Sequence, residues 1–305
     1  METTTLKKIW LSPPHMGENE EAYVKEAFET NWIAPLGPNV QAFESAIENF
    51  IGNETYAACL SSGTAAIHLG LQLLGVGPGD EVLCQSFTFA ASANPITYLG
   101  ASPIFIDSER ETWNMSPELL EKAIKDRLAF GKKPKAIVAV HLYGMPYRVD
   151  DIHSIAQKYD IPVVEDSAEA LGSSYKGINC GSFGEIGILS FNGNKIITTS
   201  GGGAILCKYK STKEKAVFLA TQARDNAPHY QHSHIGYNYR MSNVLAGIGR
   251  GQMEVLEDRV DARRHNFEYY RLHLSGLTKV AFLEEPEGVY SNRWLTCILT
   301  PSFEV

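Results

Sequence analysis

The sequence predicts an α/β fold built on a mostly parallel sheet, and three observations carry that expectation. Short, continuously apolar runs recur at residues 56–60, 81–84, 102–106, 136–140, 161–164, 186–191 and 203–207. Stretches with helical spacing fall between several of them, at 64–74, 90–99, 116–127 and 149–159. Polar or glycine-containing turns follow the runs. Strands without polar alternation are buried on both faces, which a parallel sheet covered by crossover helices provides.

Taken in order, residues 19–30 read as an amphipathic helix with Ala22, Val24, Ala27 and Phe28 inward. Residues 31–39 hold two prolines and a glycine and read as irregular, and helical spacing resumes over 40–50 through Phe43, Ile47 and Phe50. The strand–helix alternation then runs from residue 56 to 207. Residues 243–274 read as one long, charged helix leaving this domain, and 280–305 as the strand-rich start of a second. The expected organisation is a large domain over 1–250, then a connecting helix and an incomplete small domain over 251–305. Too few elements remain after residue 280 to close a core, so the chain is expected to be a fragment of a longer protein.

Composition excludes several classes. The 305 residues are 44% hydrophobic and 20% charged, ordinary for a globular protein. With 27 basic against 35 acidic residues the net charge is -8, which gives no global attraction for nucleic acid or anionic membrane. The five cysteines, Cys59, Cys84, Cys180, Cys207 and Cys297, are scattered without a C-x-x-C pair, so reduced thiols are expected, with no metal site. The opening METTTLKKIWLSPP lacks the apolar core of a signal peptide, and no uncharged apolar run is long enough to span a membrane. A cytoplasmic protein is expected.

In parallel sheets ligands sit beyond the carboxyl ends of strands, so chemistry is expected in those turns. After 56–60 comes Ser61-Ser62-Gly63-Thr64 at a helix start, where free amides and the helix dipole favour phosphate; a plain N-cap by Ser62 or Thr64 is the alternative. After 81–84, Phe87 and Phe89 could stack on a flat ring or simply fill the core. After 161–164 come Glu165, Asp166, Ser167, Ala168 and Glu169. A carboxylate there requires a partner, either an ordinary ion pair or cap, or the N–H of a pyridine ring. After 186–190 comes Ser190-Phe191-Asn192-Gly193-Asn194-Lys195, then a loop ending in Gly201-Gly202-Gly203. Lys195 could be a surface lysine, or an amine that forms an imine with an aldehyde cofactor. A phosphate cradle, a stacking ring, an Asp and a Lys, each beyond a separate strand, together suit pyridoxal phosphate (PLP).

In that chain order the residues resemble fold-type-I PLP enzymes, of the aspartate aminotransferase kind. From IWLSPPHMGENE through GYNYRMSNVLAGIG the chain resembles the DegT/DnrJ/EryC1/StrS family of PLP-dependent sugar aminotransferases. The segment SFNGNKIITTSGGG is similar to the lysine segment of enzymes that aminate C4 of UDP-linked 4-keto-6-deoxy-N-acetylhexosamines in bacillosamine and exopolysaccharide pathways. The resemblance implies that Lys195 carries the cofactor and shuttles the proton, and that Asp166 pairs with the pyridine nitrogen. Glu169 would lie near the ring substituents, Gly63, Thr64 and Ser190 would hold the phosphate, and Phe89 would stack on the ring. Asn238 would reach the cofactor phosphate of a neighbouring subunit, which implies a homodimer with a shared site. The implied reaction takes an amino group from L-glutamate and gives it to a nucleotide-linked keto sugar. Rival expectations are a 3-keto-sugar aminotransferase, or a truncated, non-catalytic dimerising or regulatory relative. A C3-dehydrating relative carries histidine in place of Lys195, and a dinucleotide-binding dehydrogenase would need G-x-G-x-x-G after the first strand.

Overall fold

The computed structural model describes residues 8–302. The first seven residues, part of the leader-peptide reading, and 303–305, the end of the expected small domain, lie outside the described residues.

Two helices, α1 (Glu20–Glu29) and α2 (Pro38–Ile51), precede the sheet. There follow β1 (Tyr56–Leu60), α3 (Gly63–Leu73), β2 (Glu81–Gln85), α4 (Asn94–Tyr98), β3 (Ser102–Ile106) and α5 (Pro117–Ala129). Next come β4 (Ala136–Val140), α6 (Val149–Tyr159), β5 (Val163–Asp166), β6 (Ser174–Tyr175), β7 (Ile178–Asn179), β8 (Ile186–Ser190) and β9 (Gly203–Cys207). The chain ends through α7 (Lys210–Ala220), α8 (Asn243–Glu254), α9 (Leu256–Leu274), β10 (Ala281–Phe282), β11 (Val289–Tyr290) and β12 (Ile298–Leu299). None of the helices among the described residues is long and apolar enough to cross a membrane.

The main sheet has seven strands in the order β1-β9-β8-β5-β4-β2-β3. From β8 to β3 every pairing is parallel, and β9 runs antiparallel to both of its neighbours, β1 and β8. The carboxyl ends of β1, β2, β4, β5 and β8 therefore share one edge, as the α/β expectation requires. Burial on both faces explains the continuous apolar runs. In β1, Ala58 and Leu60 pack on one side with Ile67 and Leu69 of α3, while Ala57 and Cys59 pack on the other with Phe43 and Ile47 of α2.

Several expected boundaries move, each for a physical reason. The strand expected at 161–164 lies at Val163–Asp166, because its ladders to β4 and β8 continue through Glu165 and Asp166. The helix expected at 90–99 is a single 3-10 turn, Ala90–Ser92, followed by short α4, which restarts at Pro95 in its first turn. The long helix expected at 243–274 breaks at Val255, whose φ of -115° is not helical, into α8 and α9. On α1 the inward face is narrower than its spacing suggested: Ala27 is buried, but Phe28 is 63% exposed and Ala22 is exposed. Helix α1 packs on glycines of α8, where a Cβ on Gly251 would press on Glu20, so backbone proximity rather than apolar side chains makes that contact. Helix α7 and the short sheet of β11, β6 and β7 carried no sequence signal strong enough to predict.

Gly203 opens β9 between Leu60 and Ser190, its partners in β1 and β8. A Cβ there would overlap the Gly63 amide nitrogen and the Ser62 carbonyl carbon, so no side chain fits. Gly203→Ala is expected to destabilise the fold by about 1–3 kcal/mol, the usual cost of overpacking, and to weaken cofactor binding through the displaced turn. Urea unfolding and a PLP titration of the variant check both effects.

Candidate active site

The ends of five strands, β1, β2, β4, β5 and β8, meet around a pocket of about 290 Å³, at the small end of the roughly 300–1,000 Å³ typical of ligand sites. Of the residues singled out in the sequence, Gly63, Thr64, Phe89, Asp166, Glu169, Ser190 and Lys195 all line it.

The turn after β1 serves both readings given to it. Ser62 is the N-cap of α3, with its Oγ accepting from the Ala65 amide at 3.0 Å. That cap and the Ala66 amide bonded to the Ser62 carbonyl leave the N–H groups of Gly63 and Thr64 without an acceptor among the described residues. These amides are free to hold an anion at the positive end of the helix. A Cβ on Gly63 would lie 3.0 Å from Ser190 Cβ, so only glycine lets the two phosphate-cradle candidates come this close.

Asp166, at the end of β5, is 4% exposed. Its Oδ2 accepts from Ser92 Oγ at 2.6 Å and its Oδ1 from the Ala168 amide at 3.1 Å. Thr88 Oγ1 lies 2.7 Å from Ser92 Oγ, extending the chain of hydroxyls. Neither Thr88 nor Ser92 was singled out, although both stand in the turn inspected after the second strand. Phe89, between them, is 72% exposed, a ring available at the pocket wall rather than buried in the core.

Behind Asp166, Glu165 is fully buried. Its carboxylate accepts from the amides of Gly181 (2.5 Å), Phe183 (2.7 Å) and Gly184 (2.9 Å) and pairs with His141 Nε2 at 2.8 Å. The Tyr147 amide donates to His141 Nδ1 at 3.1 Å, so the ring proton is assigned to Nε2, facing the carboxylate. Burial pushes the Glu165 carboxyl up, but the His141 contact and the Gly181 and Gly184 amides outweigh it and hold the group below its ordinary value.

Lys195 reaches the pocket from the loop after β8. Its Nζ donates to Glu169 Oε1 at 3.2 Å, and Glu169 Oε2 accepts from the Tyr143 amide at 2.6 Å. Burial is the largest influence on Glu169 and raises its carboxyl above the ordinary value, against the pull of Lys195 and the Tyr143 amide. On the far side of Lys195 stands Trp294, with the ammonium 4.5 Å from its ring centroid. Lys195 and Trp294 together separate the pocket from a second, larger cavity of about 710 Å³ lined in part by α9 and residues 9–15. Trp294 had no local signal in the sequence, since it follows a loop between two very short strands.

Asn238 does not line the pocket. It is exposed, on the Gly236-Tyr237-Asn238-Tyr239-Arg240 segment. That segment is held firmly: Arg240 Nη1 pairs with Glu44 and donates to the Cys59 carbonyl at 2.9 Å, and Tyr239 Oη lies 3.0 Å from His68 Nδ1.

The set suits PLP chemically: free amides and a hydroxyl for a phosphate, a buried carboxylate for a pyridinium, an accessible ring, and an amine beside a carboxylate. The sequence model of the DegT/DnrJ/EryC1/StrS aminotransferase family matches residues 14–304. EpsN of Bacillus subtilis (strain 168), whose name places it among the pyridoxal phosphate-dependent aminotransferases, is 55% identical over 292 residues, 96% of this chain and 75% of that protein. GDP-perosamine synthase of Escherichia coli O157:H7 is 38% identical over 301 residues, 98% of this chain and 80% of that protein. Among solved structures, Spr1654 of Streptococcus pneumoniae in its PLP form superposes with a TM-score of 0.88 at 29% identity, covering 97% of this chain and 79% of that one.

Proposed function

The chain belongs to the DegT/DnrJ/EryC1/StrS aminotransferase family and is a PLP-dependent aminotransferase of fold type I, and from that premise we propose that it moves an amino group from L-glutamate to C4 of a UDP-linked 4-keto-6-deoxy-N-acetylhexosamine. The observation that carries the site is the meeting, at one sheet edge, of Lys195, Asp166 and the unpaired amides of Gly63 and Thr64. PLP supplies a carbonyl that captures amines and a ring that takes up electrons when a C–H bond breaks. The residues of this chain do the rest. Lys195 Nζ binds the cofactor and carries the proton between carbons. Asp166 keeps a proton on the ring nitrogen, and Ser92 Oγ–H holds that carboxylate in place. Gly63 and Thr64 N–H and Ser190 Oγ donate to the phosphate, and Phe89 covers the ring.

The choice of a UDP-linked acceptor rests on the resemblance of the SFNGNKIITTSGGG segment. A GDP-linked 4-keto sugar is the second reading, favoured by GDP-perosamine synthases 34–39% identical to this chain. The purified protein, loaded with PLP, is expected to lose its yellow colour and release 2-oxoglutarate on adding L-glutamate. The aminated protein is then offered UDP- and GDP-linked 4-keto sugars, and the one that restores the colour names the acceptor; failure of the glutamate step would overturn the reading.

The proposed assembly is a homodimer in which Asn238 reaches the neighbouring cofactor phosphate. Co-expressed Lys195→Ala and Asn238→Ala chains are then expected to form mixed dimers with one intact site, more active than either variant alone. Activity of the isolated mixed dimer no higher than that of Asn238→Ala would sink the shared site.

A further inference from the structure

Residues 291–294 form a turn that the proposed reaction has not yet used. Arg293 has φ of 51°, in the left-handed region that a non-glycine residue occupies only at a cost. Its side chain is anchored nearby: the guanidinium lies 3.6 Å from the Phe267 ring centroid and donates to the Leu283 carbonyl at 2.5 Å. Asn292, fully buried, donates to the carbonyls of Glu169 and Leu171, both at 2.9 Å, while its Oδ1 accepts from the Trp294 amide at 2.9 Å. Trp294 Nε1 donates to the Asn194 carbonyl at 2.7 Å, one residue before Lys195. One asparagine thus ties together the backbones of Glu169 and Trp294, the two residues that flank the lysine ammonium. The strained turn has a visible result: the indole, 5% exposed, presents its face to Nζ.

We propose that Trp294 is a positioning residue whose ring face, together with the Glu169 carboxylate, cradles Lys195 Nζ and stabilises the charge that Nζ gains when it takes a proton. This rests on reading Lys195 as the cofactor lysine. When Nζ takes a proton from a substrate carbon, the C–H electron pair stays with the substrate and the lysine becomes cationic. The ring face and the Glu169 carboxylate stabilise that cation where it forms, then leave the proton within reach for return to the next carbon. Other ionisable groups around the cradle are Asp166 at the end of β5, Tyr143 after β4, Cys297 near Glu169, and His15, Arg259, Arg263, Tyr270 and Arg293 around the larger cavity.

Competitive acetylation of the full chain freed of cofactor, with Lys195 followed by peptide mass, tests this. Loss of the ring face removes one side of the cradle and leaves a more reactive amine. Trp294→Leu is expected to raise Lys195 labelling at pH 8 on the order of 3–10-fold. Opening of the site would also admit more reagent in the leucine variant, so a change that keeps the ring's shape decides between the two. Fluorotryptophan incorporation, which weakens the ring's negative face without changing its shape, is expected to act in the same direction by about 2–3-fold, whether or not the leucine variant folds. Unchanged or slower labelling in the fluorinated protein overturns the proposal. Borohydride reduction of the holoenzyme separates the two failures: cofactor mass found on a residue other than Lys195 removes the underlying reading, whereas mass on Lys195 leaves it standing.

Discussion

Lys195→Ala is expected to lower transamination by about 10⁴-fold or more, because it removes both the amine that binds the cofactor and the base that moves the proton. The loss should be chemical and not structural. Lys195 Nζ pairs with Glu169 and the side chain is 11% exposed, so the lost ion pair and packing are offset by removing a charge that is costly to bury. The variant is expected to unfold at nearly the same urea concentration as the parent. It should still bind PLP through the Gly63 and Thr64 amides, Ser190 and Asp166, but without the yellow band of the lysine-bound form. Small primary amines added to the solution should restore part of the rate, in proportion to how well they fit the space the side chain leaves. A variant that keeps most of its turnover would show that another group does the chemistry.

The second large effect falls on stability. Glu165→Ala is expected to cost about 3–5 kcal/mol, the range for removing one partner of a buried charged network. It strands the Gly181, Phe183 and Gly184 amides and the His141 Nε2–H in a fully buried position. Urea denaturation gives the magnitude. The pH dependence supplies an independent sign. Because the folded-state value of Glu165 is lowered, its contribution is present above the ordinary carboxylate value of about 4.3 and is lost as pH falls through the lowered one. The parent should therefore lose stability on acidification more steeply than Glu165→Gln. A variant with an identical acid limb would remove Glu165 from the account.

These two residues also show what could be read in advance. Lys195 was legible because a lysine in a glycine-flanked turn after an apolar strand has no packing role, and because Asp166 and the Ser62–Thr64 turn lie beyond other strands of the same sheet. The seven principal strands were legible from their unbroken apolarity, since both faces are covered. Glu165 was read only as a carboxylate needing a partner; its donors come from residues 141 and 181–184, and nothing in linear spacing brings those together. Ser92 was in view but has no pattern that separates a carboxylate-holding hydroxyl from a solvated one. Trp294 was invisible for a stronger reason. Its position depends on Asn292 bridging to Glu169 and on a left-handed Arg293, which sequence favours at neither place. The break at Val255 was missed because helical spacing continues on both sides of it.

The sheet order has a consequence for how the protein is made. Among the described residues, strand β1 stands at the edge of the sheet and pairs there with β9, synthesised long after it. A nascent chain carrying β1 and α3 therefore has no strand to dock them on until Gly203–Cys207 has left the ribosome, and the tryptophan facing the lysine arrives later still. Such long-range closure is slow compared with local helix formation. Capture of PLP by a growing chain would thus mark the end of folding rather than guide it, and a shortage of cofactor would be felt by finished molecules.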